Sequence, residues 1–395
     1  MPKNSPQERR QYFLDKLNRK SIDAAIITDP RHVYYFTGYS TVFFARETAI
    51  LILTSDHDNY LFVNSGFFSF VRGKEGATSA KKVFEDRVSV FVDYDLQTRM
   101  IAYQGYVAKE LSKFLSRSKI LRGKKVIGLE NWHIPLTYFE AISKVISRSR
   151  CREISNLILY CRRTKGNDEL ANLREAARRL DMVFQTAKNS IEAGKSEMEL
   201  CRDLTSDSIL KYGPYEGLSR GGNWLSGERT LEIGGPPSER RFVFGDGVLL
   251  DLVALCNNYW ADGARTYIVG KPSQDQEHIF NIILSAKEKG EEVLRPGTMC
   301  RDVYNAVAGE IEKAGYIKLF PHHAGHGIGL EVQEGPFFIP ACKEELREGD
   351  VVTLEPGIYH PKIGGFRHED MYIITRDGHQ KITTSSSKLE EVGHV

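Results

Sequence analysis

Four carboxylates stand on apolar runs that read as buried strands. Asp251 follows Val248-Leu249-Leu250, and Asp262 lies between Trp260 and the run Thr266 to Val269. Glu355 follows Val351-Val352-Thr353-Leu354, and Glu369 comes just before Met371-Tyr372-Ile373-Ile374. Buried strands normally exclude such groups, because an unpaired charge away from water is costly. Four such groups call for one shared compensation, and metal cations supply it best. His326 is the fifth candidate, in His322-His323-Ala324-Gly325-His326-Gly327-Ile328-Gly329, where flanking glycines allow close backbone approach. Oxygen ligands with one imidazole suit Mn²⁺, Co²⁺, Zn²⁺ or Fe²⁺. Four carboxylates are too many for one small divalent ion, so a pair about 3.5–4 Å apart is expected, bridged by carboxylates and a water. Such a pair makes the water acidic and polarises the carbonyl it attacks, which is hydrolytic chemistry. Taken singly, each residue has an ordinary explanation: a strand-end Asp caps a turn, Glu355 pairs with Arg367, His326 is a hydrogen-bonded core histidine. Taken together, the five have no ordinary structural explanation.

The elements that must position these groups fall in the second half of the chain. Strands are expected at Val248–Leu255, Tyr259–Val269, Asp350–Ile358 and Phe366–Thr375, with Asn257-Asn258 as a hairpin turn that brings Asp251 and Asp262 together. Helices are expected at Glu197–Tyr212, Gln274–Leu294 and Met299–Ala314. The pattern from Asp168 to Ile191 reads as one amphipathic helix with Asp168 as N-cap and Gly194 as stop, after a changeover, Leu157–Asp168, that ends in a charged, turn-prone stretch. The first half alternates strands (Ile22–Thr28, Ala49–Thr54, Asn59–Asn64, Val88–Val92, Lys125–Leu129) with helices (Glu8–Asn18, Tyr106–Ser116, Leu136–Ile146). That alternation predicts an α/β layer, and nothing in it looks catalytic. The expected division is a domain over 1–160 and an α+β domain over 161–395.

Composition narrows the classes. The chain of 395 residues has 41% hydrophobic and 27% charged residues, the profile of a two-domain globular protein and not of a disordered or fibrous one. Lys+Arg 54 against Asp+Glu 52 leaves a formal charge of +2, with no basic excess to argue for nucleic acid. No apolar run approaches the roughly 18 residues of a membrane span, and MPKNSPQERR lacks the apolar stretch of a signal peptide. Six cysteines without a C-x-x-C pair predict reduced thiols and a cytoplasmic protein.

The motifs resemble those of the pita-bread metallopeptidases, in the branch of creatinase, Xaa-Pro dipeptidases (prolidases) and Xaa-Pro aminopeptidases. Asp251 and Asp262 match the family's aspartates, including their separation of eleven residues. Gly325-His326-Gly327-Ile328-Gly329-Leu330 matches G-H-G-I-G-L, Leu354-Glu355-Pro356-Gly357 the glutamate-Pro-Gly turn, and Arg367-His368-Glu369-Asp370 the R-x-E-D segment. Tyr34-Tyr35-Phe36-Thr37-Gly38-Tyr39 resembles the accessory N-terminal domain of that branch. The resemblance implies a creatinase/prolidase-type N-terminal domain followed by a pita-bread catalytic domain, and a homodimer. By it, Asp251 chelates the first metal, Asp262 and Glu369 bridge both, and His326 and Glu355 complete the second, with Glu355 as proton shuttle. His322 and Arg367 match further active-site positions, and His322 is expected to contact substrate.

Two positions depart from the pattern. Gly234, in Ile233-Gly234-Gly235-Pro236-Pro237-Ser238-Glu239-Arg240, stands where the peptidases carry a histidine, and Gln333 replaces a second one. Those imidazoles hold the substrate and stabilise the tetrahedral intermediate; glutamine still donates a hydrogen bond but cannot be cationic. Gln333 and Trp260 are therefore the expected substrate-binding residues, with Trp224 and Tyr259 as further candidate pocket walls. The expected function is metal-dependent hydrolysis of an amide bond in a small peptide. The alternatives are a non-peptide amide or cyclic amidine as substrate, as for creatinase and ectoine hydrolase, and a non-catalytic binding module. No nucleic-acid or membrane partner is expected.

Overall fold

The computed structural model describes residues 4–40, 49–64, 84, 87–91, 104–118 and 125–393. The chain divides into two compact units, Met1–Arg162 and Arg163–Val395.

The first unit is built on a six-stranded sheet in the order β4-β3-β2-β1-β5-β6, from β1 (Ala24–Ile27), β2 (Ile50–Thr54), β3 (Tyr60–Asn64), β4 (Arg87–Phe91), β5 (Ile127–Leu129) and β6 (Cys151–Glu153). The expected end of β4 at Val92 lies outside the described residues. Strand β1 pairs antiparallel with β2 and parallel with β5, so the sheet is mixed. Helices α1 (Pro6–Arg19), α2 (Pro30–Thr37), α3 (Gln104–Arg117) and α4 (Leu136–Ser143) accompany it. Leu111, Leu115, Tyr138 and Ile142 pack with Ile26, Ile52 and Ile127 in one apolar cluster. Burying such side chains supplies most of the stabilisation of a layer of this kind.

The changeover begins in a helix, α5 (Ser155–Arg163), and its charged end breaks the chain at residues 164–166 before the next helix starts. Its Arg162 and Arg163 are buried and paired: Arg162 Nη1 lies 2.8 Å from His32 Nε2, and Arg163 Nη2 donates to Asp350 Oδ2 at 2.8 Å. The long amphipathic helix is α6 (Asn167–Ser190), and its N-cap is Gly166, two residues before the expected Asp168. Glu169 accepts from the Gly166 N–H at 2.9 Å, which leaves Asp168 inside the first turn where a negative charge suits the helix dipole.

The second unit holds three sheets. One is four-stranded in the order β17-β9-β8-β7, from β7 (Gly217–Ser226), β8 (Gly247–Cys256), β9 (Tyr259–Val269) and β17 (Glu390–Val392). A second is five-stranded, β11-β10-β12-β15-β16, from β10 (His326–Gly327), β11 (Glu334–Phe337), β12 (Val351–Leu354), β15 (Asp370–Ile374) and β16 (His379–Lys381). The third pairs β13 (Gly357–His360) with β14 (Gly364–Arg367). Helices α7 (Glu197–Tyr212), α8 (Gln274–Glu291) and α9 (Cys300–Lys313) complete it, and Ile279, Ile283, Val303 and Val307 join Val352, Leu354, Phe366 and Tyr372 in the core. Helix α8 stops three residues before the expected Leu294.

Two expected strands are each broken in two, and the breaks matter. Between β12 and β13 the chain leaves one sheet for another at Glu355-Pro356, and between β14 and β15 it does so at His368-Glu369. Pro356 has no N–H to continue a ladder. Strand β7 escaped the sequence reading because Ser219-Arg220-Gly221-Gly222-Asn223 carries no alternating apolar pattern. Among the described residues no helix is long and apolar enough to cross a membrane.

Candidate metal centre

The β8–β9 hairpin turns at Asn257 and Asn258, both in the left-handed region at φ 47° and 66°, which asparagine tolerates. Its register pairs Asp251 with Ala264 and Val253 with Asp262. The two aspartates are therefore diagonal neighbours on one face of the sheet. Glu355 and Glu369 arrive from the two sheet-to-sheet crossings. Their backbones are fastened there, Glu355 N–H to Ala324 O at 2.9 Å and Glu369 N–H to Ala264 O at 3.0 Å. His326 opens β10, and its neighbours on either side are glycine for want of room. A Cβ at Gly325 would meet Thr353 O at 2.1 Å, and one at Gly327 would meet Gly335 O at 2.4 Å.

These elements converge on a cavity of about 420 Å³ lined by all five residues, with His322, His323, Gln333, Gly234, Asn223 and Arg367. Ligand atoms of Asp262, His326 and Glu369 all lie within 4.8 Å of one another. His326 Nε2 is 3.4 Å from Glu355 Oε1 and 3.7 Å from Asp262 Oδ2. His326 Nδ1 faces the Gly327 carbonyl at 2.9 Å, so Nδ1 carries the proton and Nε2 presents a lone pair to the carboxylates. Asp262 Oδ1, Glu355 Oε1 and Glu369 Oε1 are buried and have no hydrogen-bond partner among the described residues. Acceptors facing acceptors are what a cation site requires, and the donor set suits a borderline or hard divalent ion.

The electrostatics agree. Burial, then the neighbouring Asp251 and Glu355 charges, push the Asp262 carboxyl well above its usual range, and burial with Asp262, Glu355 and Asp251 does the same to Glu369. Glu355 is pushed up to about 8, chiefly by burial. Burial lowers His326 to about 4, which keeps the imidazole neutral and able to ligate.

Asp251 stands apart from the tight cluster. Its Oδ2 accepts from Arg367 Nη1 and, at 3.1 Å, from Asn223 Nδ2. Arg367 thus serves Asp251, and not Glu355 as its spacing allowed. The same guanidinium donates to Ile233 O at 3.1 Å and, through Nε, to Tyr359 O–H at 2.9 Å. Tyr359 is 3.0 Å from His322 Nε2, and His322 Nδ1 is 2.7 Å from its neighbour's carbonyl. Both nitrogens of His322 are thereby engaged, and burial with the Arg367 charge lowers it to about 3. Gln333 lines the cavity; Trp260 does not, and Trp224 and Tyr259 are core residues.

Asn223, His323 and Tyr359 were not singled out by sequence. His323 lies against Glu355, Nδ1 to Oε1 3.3 Å, and Tyr359 had only its place four residues after Glu355 as a signal. Behind Glu369 sits Asp370, fully buried, ion-paired with Arg265 Nη2 and Lys287 Nζ at 2.7 Å each.

Known proteins share this architecture. The family model for the Creatinase/Prolidase N-terminal domain matches residues 9–164, and that for Metallopeptidase family M24 matches residues 171–376. The chain is 28% identical to an Xaa-Pro dipeptidase of Pyrococcus horikoshii over 382 residues, covering 97% of this chain and 98% of the relative. An Xaa-Pro dipeptidase of Pyrococcus furiosus is also 28% identical, over 97% of this chain and 99% of its own. Among solved structures, the prolidase from Pyrococcus horikoshii superposes with a TM-score of 0.81 at 29% identity, covering 97% of this chain and 99% of that one. The Xaa-Pro dipeptidase from Bacillus anthracis gives 0.84 at 26% identity, over 98% of this chain and 100% of that one. With a creatinase/prolidase N-terminal domain and a pita-bread C-terminal domain that bears the carboxylate–histidine cluster, the chain belongs to metallopeptidase family M24.

Proposed function

We propose that this chain is a dinuclear metal-dependent peptidase that cleaves the amide bond before proline in small Xaa-Pro peptides. The observation that carries the reading is the facing of His326 Nε2 and three buried carboxylates with unpartnered oxygens. Asp251, Asp262, His326, Glu355 and Glu369 would hold the ions, of which Mn²⁺, Co²⁺, Zn²⁺ and Fe²⁺ all suit the donors. When bound, the pair supplies a water acidic enough to attack near neutral pH and polarises the scissile carbonyl. Glu355, on the wall of the same cavity, would be the residue to accept a proton from the attacking water and pass it to the leaving amine. Arg367 holds Asp251 and, through Tyr359, holds His322 in its neutral form. Gln333 offers a neutral hydrogen bond to the bound peptide from the cavity wall.

The relatives named above are peptidases, which does not favour a non-peptide amide or a silent binding module. The reading extends to a homodimer in the cytoplasm, on the family resemblance and on six cysteines that stand as free thiols.

The test is release of proline from Xaa-Pro dipeptides and tripeptides, with creatine and ectoine as controls, in Mn²⁺, Co²⁺ or Zn²⁺ and in chelator. Chelator-sensitive release from Xaa-Pro supports the reading. A metal-loaded protein that cleaves no peptide in the panel refutes it.

A further inference from the structure

Asn223 stands directly opposite Asp251 in the β7–β8 register, so both side chains leave the same face of the sheet. The Asn223 carboxamide is fixed at both ends. Its Oδ1 accepts from the Gly235 N–H at 2.9 Å, and its Nδ2 donates to Asp251 Oδ2 at 3.1 Å. The amide orientation follows from the chemistry, since a backbone N–H needs an acceptor and a carboxylate needs a donor. Arg367 donates to the same oxygen, Oδ2, which leaves Oδ1 as the Asp251 oxygen for a cation.

Position 234 completes the arrangement. A Cβ on Gly234 would stand 2.8 Å from Asn223 Oδ1 and 3.3 Å from its Cγ. Gly234 is not in the left-handed region, so glycine is required there by the space the carboxamide fills, not by backbone conformation. Just before it, Ile233 is held at φ 66°, an outlying value for a β-branched residue, with its carbonyl on Arg367 Nη2. The loop is thus pressed against Asn223 and tied to the guanidinium that also grips Asp251.

We infer that Asn223 is a positioning residue for the metal centre: its locked amide aims Asp251, and Gly234 is the residue that makes room for it. This rests on the dinuclear reading above. It also accounts for the absence of a histidine at 234, because that side chain and the Asn223 amide claim the same space.

The test is calorimetric titration of Mn²⁺ into the chelator-treated full-length protein, with thermal unfolding of the metal-free form as a control on folding. The wild type is expected to bind two ions. Asn223→Ala should weaken one of them by about 10- to 100-fold, the usual effect of losing a group that orients a ligand, and leave the other within about threefold. Gly234→Ala, which pushes on the amide, should weaken the same ion. The double variant should be no weaker than Asn223→Ala alone, since the Gly234→Ala effect acts through the amide. Two ions bound by Asn223→Ala as tightly as by the wild type would overturn the inference and leave the dinuclear reading standing. Additive losses in the double variant would overturn the coupling to Gly234. A wild type that binds no Mn²⁺ would overturn the dinuclear reading, and this inference with it.

Discussion

The imidazole of His326 faces the carboxylate of Glu355 with Nε2 and Oε1 3.4 Å apart, and both atoms are acceptors. Two buried acceptors at that distance repel unless a cation lies with them. His326→Ala should therefore lose bound metal and lower peptide cleavage by at least about 100-fold, the scale of losing one transition-state stabiliser. Metal analysis after gel filtration, beside kcat/KM, checks it. Full metal content with full activity would contradict the ligand role.

The same crowding fixes the sign of a pH effect. Asp262, Glu355 and Glu369 have folded-state pKa values raised above the unfolded ones, so the metal-free fold binds more protons than the unfolded chain. Their stabilisation is full below the unfolded pKa and is lost as pH rises through the folded pKa, for Glu355 from its usual 4.5 to about 8. The buried histidines act in the opposite sense but lower down, since His326 and His368, both at about 4, lose stability as pH falls below 6.5. Above about pH 7.5, a unit beyond the unfolded histidine value, the carboxylates act alone. The Tm of chelator-treated protein should fall as pH rises above that point, the fall should shrink in Glu355→Gln, and Mn²⁺ should reverse it. A flat wild-type profile would contradict the burial argument.

The chain Arg367–Tyr359–His322 makes a second activity prediction. Tyr359→Phe removes the hydroxyl that accepts from Arg367 and engages His322 Nε2. Losing a group that only orients others typically costs 10- to 100-fold, so kcat should drop by about that much while the metal content stays. A kcat within about twofold of wild type would show that Arg367 is held well enough by Asp251 and Ile233.

Asp370 offers a stability prediction. Arg265 pairs with it, Lys287 pairs with both it and Glu291, and Arg265, Lys287 and Asp370 are all buried. Asp370→Ala would take the carboxylate from Arg265 and leave Lys287 with Glu291 alone, and breaking such a buried pair typically costs about 3–5 kcal/mol. Denaturant unfolding of the second unit's transition reads it. A loss below about 1 kcal/mol, the scale of an exposed ion pair, would mean that water reaches the cations.

How much of this was legible beforehand differs by residue. The hairpin carrying Asp251 and Asp262 could be read because its ingredients are local: two apolar runs of fixed register joined by Asn257-Asn258. Helix α7 was read to the residue for the same reason, with a capping box at Ser196 and Glu199. Glu355 and Glu369 were legible as charges out of place on apolar strands. That they sit where the chain changes sheets was not, because a continuous apolar run does not reveal which sheet receives it. The pairings of Arg162 with His32 and of Arg163 with Asp350 were not legible for a related reason: each partner lies far away in sequence.

The sequence by itself determined the chemistry of the donors, four carboxylates and an imidazole, since side-chain type and local pattern are one-dimensional properties. Only the tertiary structure decided which oxygen each donor presents and what holds it. Arg367 meets Asp251 across 116 residues, and Asn223 meets it across 28. Such pairings are set by how three sheets close on one cavity, and no local spacing encodes that closure.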